Sequence, residues 1–154
     1  MYRGDIKKLA LPFMIVLLFS TVAFTSIINF GMKDSAASQE IKQGVNQVIE
    51  EDMVKTSVGH IEVMEDESLK DGSYIVTSHL KYENPNIDET KQMIEIYSDQ
   101  LANELANYNV NKVTVFWEVP HIQKDDNLAR FHFQRNGEKI QMKERWFALS
   151  FKDT

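Results

Sequence analysis

The sequence predicts an α+β domain of two layers, two helices packed on a mostly antiparallel sheet of about five strands, behind an N-terminal transmembrane helix. Three observations predict it. A 24-residue run from Leu9 to Met32 carries no charged side chain, two later stretches repeat apolar residues at helical spacing, and about five more alternate apolar with polar residues. The element order read from these patterns is α-β-β-α-β-β-β.

As a helix the run from Leu9 to Met32 would be about 36 Å long, against a hydrocarbon core of about 30 Å. Pro12 falls in its first turn, where a missing N–H removes no intrahelical bond. Ser20, Thr21, Thr25 and Ser26 are compatible with a spanning helix because their hydroxyls bond back to the preceding turn. Arg3, Lys7 and Lys8 precede the run against Asp5 alone, whereas Lys33 and Asp34 balance on the far side. The basic flank places the N-terminus in the cytoplasm. The expected organisation is therefore a cytoplasmic tip over residues 1–8, a signal-anchor helix over 9–32, a short linker over 33–37 and an extracytoplasmic domain over 38–154, on a single-pass protein of the cell membrane. The alternative is a signal peptide cut near Ala37 in "SAAS", which would release a secreted domain.

Outside residues 1–32 the chain holds 14 basic against 22 acidic residues. Such a surface is repelled by nucleic-acid phosphates and by anionic headgroups, so no nucleic-acid partner is expected. The chain contains no cysteine, so its core must hold without disulfides even in an oxidising compartment.

Within the exported part, Ile41, Val45, Val48, Ile49 and Met53 form a helical stripe over 38–54, with Ser38 as its cap. Ile61 and Val63, then Tyr74 to Tyr82, alternate as the strands of a hairpin whose acidic loop ends at Asp71-Gly72. Pro85, Asn86 and Glu89 announce the second helix, with Ile94, Tyr97, Leu101, Leu105 and Tyr108 on one stripe. Val113, Val115, Trp117 and Val119 alternate next, followed by a polar loop through Asp125, Asp126 and Asn127. Asn136-Gly137 then marks a tight hairpin with positive φ at both central positions. Over residues 38–119 this element order resembles the small ring-building domains of membrane-anchored sporulation and secretion components.

Little in the sequence carries chemistry. His60, His79, His121 and His132 lack the spacing that forces three ligands onto one ion, and default to solvent-facing positions. Glu62, Glu65, Asp66, Glu67 and Asp71 lack the alternate carboxylates and central glycine of a calcium loop and read as a solvated turn. No serine elbow, reactive cysteine or phosphate-cradling glycine loop is present. No enzyme activity, metal or cofactor is expected.

Large rings remain. Phe116, Trp117, Trp146 and Phe147, with Phe151, exceed what one small core face uses, and alternation sends Phe116 opposite to Trp117 and Trp146 opposite to Phe147. These four form the candidate interaction surface. The expected function is a membrane-anchored binding module whose partner is another envelope protein or a copy of itself. The rival is a cystatin-like or NTF2-like cone, in which the inward rings line a cavity for a small apolar ligand.

Overall fold

The computed structural model of the chain describes residues 35–152. The expected cytoplasmic tip over 1–8 and anchor over 9–32 lie outside the described residues. Among the described residues no helix is long and apolar enough to cross a membrane.

The elements are α1 (Ala36–Asp52), β1 (Thr56–Glu65), β2 (Tyr74–Tyr82), α2 (Ile87–Leu105), β3 (Val110–Val119), β4 (Gln123–Asn136), β5 (Lys139–Phe147) and a one-turn helix α3 (Leu149–Lys152). The five strands form one sheet in the order β1-β2-β3-β4-β5. Neighbours are antiparallel except β2 and β3, which run parallel. A parallel pair needs a crossover, and α2 supplies it. At the start of α2, the Asn86 side chain accepts from the Glu89 backbone N–H at 3.0 Å, satisfying a donor that the first turn leaves without a partner.

Both helices lay their apolar stripes on the same sheet face, and their buried residues belong to one core with the inward side chains of the strands. Ile41, Val45 and Ile49 of α1 and Ile94, Leu101 and Leu105 of α2 are buried there with Val76, Leu80, Val113, Val115, Trp117, Phe131 and Phe133. Two sets of rings fill this layer. Trp117 meets Tyr82 edge-on at 6.4 Å and Tyr97 at 6.5 Å. Phe147 packs edge-on between Phe131 at 5.7 Å and Phe151 at 5.8 Å.

Gly44 lets α1 approach the end of α2. A Cβ at this position would lie 2.8 Å from the Cζ of Tyr108. Gly44→Ala is therefore expected to destabilise the domain by about 1–3 kcal/mol as the ring is displaced, despite the better helix propensity of alanine. A lower midpoint in urea for this variant, recovered in part when Tyr108 is replaced by a residue without the ring, such as Tyr108→Leu, checks it.

Three local expectations change. The tight hairpin between β4 and β5 centres on Gly137 and Glu138, flanked by the paired Asn136 and Lys139. Only Gly137 takes positive φ there, at 65°. That matches the hairpin type with glycine at its first central position, not the Asn-Gly type with two. The polar stretch through Asp125 and Asn127 is the start of β4, reached through a short turn in which Ile122 N–H donates to Val119 O at 2.9 Å. Its register against β3 is broken on both sides of Glu118, and Asp125 sits at φ 59°, a conformation that a short polar side chain tolerates. Finally, β5 stops at Phe147. Phe151 reaches the core through α3, held by Ala148 N–H to Leu128 O and Phe151 N–H to Ala148 O, both 2.9 Å.

The acidic loop between β1 and β2 is not wholly solvated either. Asp66 is buried. Its Oδ1 accepts from the Ser68 hydroxyl and from the Ser68 N–H at 3.2 Å. Its Oδ2 accepts from Asn111 Nδ2 at 2.9 Å and Lys112 Nζ at 3.0 Å. The carboxylate thus staples the loop to the start of β3. The Ser68 hydroxyl, then Asn111 and Lys112, hold its pKa well below the ordinary range, which centres near about 3.9. A depressed folded pKa means that this group's stabilisation is complete above the unfolded pKa and is lost only as pH falls through the folded one. We expect the Asp66 carboxyl resonance to remain that of the ionised form as pH falls through the ordinary carboxylate range. Protonation of Asp66 within that range would contradict the staple.

Candidate functional site

The second face of the sheet, turned away from α1 and α2, is assembled by strand register. The pairings place His60, His79, Phe116, Arg130 and Trp146 in one row across all five strands. The next row is Glu62, Thr77, Thr114, His132 and Glu144. Because side chains alternate between faces, every member of these rows points away from the helices. On the three inner strands they are half-buried, whereas inward neighbours such as Val76, Val115 and Phe131 are fully buried.

Adjacent residues within the rows engage one another. The His79 imidazole stacks on Phe116 with ring centres 4.6 Å apart and planes 9° from parallel. Arg130 donates to Glu144 across the β4–β5 pair. The Thr114 hydroxyl and His132 Nδ1 lie 3.1 Å apart. Towards one end, Lys81 and Glu118 form an ion pair at 3.0 Å, and the hydrogen bond that the Lys81 ammonium donates to this carboxylate raises the ammonium's pKa. Thr114, Phe116, Arg130, His132 and Glu144 line a shallow open depression of about 280 Å³.

The four rings of the candidate surface divide between the faces. Phe116 and Trp146 stand on the open face, and Trp146 keeps 41% of its surface exposed. Trp117 is fully buried under α2, and Phe147 packs inward between Phe131 and Phe151. The alternation of the two dipeptides sends one ring of each pair to the core. Trp117 therefore belongs to packing and offers nothing to a partner that docks on the folded domain.

His79 and His132, read from the sequence as solvent-facing, stand on this face, and Arg130, which the linear sequence did not single out, joins them. Their signal was available only as parity, since each sits an even number of positions from a neighbour already assigned outward, and it needed the register to become a site. His121 stands apart, with its Nε2 3.0 Å from Glu83. Glu144, opposite His132 in the register, is held by Arg130. Among the described residues no group of three or more His, Asp or Glu side chains is arranged to hold a metal ion.

What this face offers is a cation, several exchangeable donors and acceptors, and two large rings on a rigid sheet. Aromatic and arginine side chains dominate the binding energy of protein interfaces. No known protein family, curated protein or solved structure matches this chain.

Proposed function

We propose that the chain is a membrane-tethered, extracytoplasmic binding module whose open sheet face docks onto a protein of the cell envelope. The observation that carries this reading is the row of Phe116, Arg130 and Trp146 across a sheet face that neither α1 nor α2 covers. The apolar run over 9–32 supplies the tether. Two-dimensional confinement then raises the effective concentration of both partners, so a shallow patch suffices without a deep pocket. The rings between the layers pack on one another, which supports a filled core over a ligand-enclosing cone.

A photo-crosslinking amino acid placed at Trp146 in the full-length chain tests the proposal in intact cells. Discrete protein adducts are expected from position 146 and from position 116. None is expected from Ile96, which is 46% exposed on α2. Equal labelling from all three positions, or from Ile96 alone, would refute it.

A further inference from the structure

We propose that the cavity between the start of α1 and the turn following α2 is a binding site for a primary ammonium group. It lies on the helical side of the sheet, away from the open face, and does not rest on the docking reading. The cavity measures about 270 Å³ and takes its walls from Glu40 of α1, Tyr74 at the head of β2, and Asn107, Tyr108 and Asn109 of the turn.

Local structure fixes these walls. Gly44, one turn after Glu40, leaves room for the Tyr108 ring against α1. The Tyr108 N–H donates to Leu105 O at 3.2 Å, which winds the turn directly onto the end of α2. The Tyr74 N–H donates to Asn109 O at 2.8 Å, and Asn109 Nδ2 donates to Gly72 O at 2.9 Å, so the turn is also tied to the head of β2.

What the walls offer is acceptors and rings. Asn107 Nδ2 is turned to Glu104 at 3.4 Å and Asn109 Nδ2 to Gly72 O, so the carbonyl oxygen is what each amide has left to give. Glu40 is exposed and enters no ion pair among the described residues. No basic side chain lines the cavity. Arg135 reaches the same turn, but its guanidinium is spent on the carbonyls of Ala106, Tyr108 and Val110. Burial, then the negative charges of Glu104 and Glu40, push the pKa of the Tyr108 hydroxyl up. An ammonium group donates three hydrogen bonds and accepts none, and its charge is drawn to a carboxylate and to tyrosine rings. A quaternary ammonium could not donate to these oxygens, and an anion would meet Glu40.

Two sources carry this group. Ala37, which also lines the cavity, follows Met32, the last residue of the apolar run, by five positions. Five residues span at most about 18 Å. On the tethered reading the cavity therefore lies close to the headgroups, where an aminophospholipid presents its ammonium. A free amine in the surrounding medium is the other source.

Ethanolamine titrated into the full-length chain in micelles of an uncharged detergent, at constant ionic strength, tests the site. The side-chain amide resonances of Asn107 and Asn109 are expected to shift saturably, with tetramethylammonium about fivefold weaker or worse. Glu40→Gln should weaken ethanolamine about fivefold or more. Glu50→Gln, which removes an exposed acid elsewhere on α1, should leave it unchanged. A backbone amide spectrum like the parent's shows that both variants are folded. The absence of a saturable shift, an equal loss from the two glutamate variants, or tighter binding of tetramethylammonium would overturn the proposal. Bilayers separate the sources. With no amine added, the same shift in phosphatidylethanolamine bilayers but not in phosphatidylglycerol ones assigns the site to the lipid headgroup. Its absence there, with ethanolamine still binding, assigns it to a free amine. Neither result bears on photo-adducts from position 146, so this site and the docking face fail separately.

Discussion

Trp117→Ala is expected to cost the domain about 3–5 kcal/mol, the range for emptying a large aromatic site in a core. The indole is fully buried between Tyr82 and Tyr97. It donates from Nε1 to Ser98 Oγ at 2.8 Å, and the same hydroxyl donates to Ile94 O at 2.6 Å. Alanine removes the ring, the contacts of two tyrosines and one buried hydrogen bond, at a point where β3 meets α2. Because stabilities of such domains are only about 5–15 kcal/mol, the loss consumes a large fraction of the total. Trp117→Phe keeps most of the apolar volume, and Ser98 retains its bond to Ile94, so about 1–2 kcal/mol is expected there. Urea denaturation of the three proteins checks the order. An alanine variant as stable as the parent would place the indole outside the core.

Arg135→Met should be nearly as damaging, at about 2–3 kcal/mol. Its guanidinium donates from Nε to Val110 O at 2.7 Å and from Nη2 to Tyr108 O at 2.7 Å and Ala106 O at 3.1 Å. Two of these carbonyls close the path from α2 into β3 and the third begins the strand. One charged fork thus satisfies backbone acceptors that the end of α2 and the following turn leave open, and its positive charge sits at the negative end of the helix. Methionine retains the stem and removes every donor, leaving Tyr108 O with the Val110 N–H alone at 2.8 Å and taking the guanidinium's bonds from Val110 O and Ala106 O. Arg135→Lys should recover only part, since a single ammonium cannot reach three acceptors in fork geometry. The expected readout is a lowered unfolding midpoint, with amide exchange quickened first at Tyr108 to Val110. Unchanged exchange at those amides would contradict the role.

How much of this was legible beforehand depends on the range of the interaction. The two helices and their stripes follow from side-chain period alone, so Ile94, Leu101 and Leu105 were identifiable as core. The Asn86 cap was readable because both partners lie within one turn. Alternation showed that Phe116 and Trp117 must part, as must Trp146 and Phe147, but which member faced the helices required a sheet with a known covered side. Arg135 and Asp66 were invisible for a different reason. Each is one charged residue among many, and what distinguishes them is contact with backbone or side chains 25–46 positions away. The open face needed the register of four strand pairs, which no local pattern encodes. Within the hairpin at Gly137 the turn was foreseen, but its frame lay one residue later, because Asn136 pairs with Lys139 as the last rung of the ladder.

The claim that the open face is the recognition surface is tested most directly by thiol reactivity in intact cells. Phe116→Cys, Trp146→Cys and Ile96→Cys, each the sole cysteine of the full-length chain, are exposed to a membrane-impermeant maleimide before and after purification. The prediction is that all three react when the protein is purified, and that in cells position 96 still reacts while 116 and 146 are shielded. Equal reactivity of the three positions in cells would mean that nothing occupies the face. Reaction of position 96 only after the membrane is broken would place the domain on the wrong side of it.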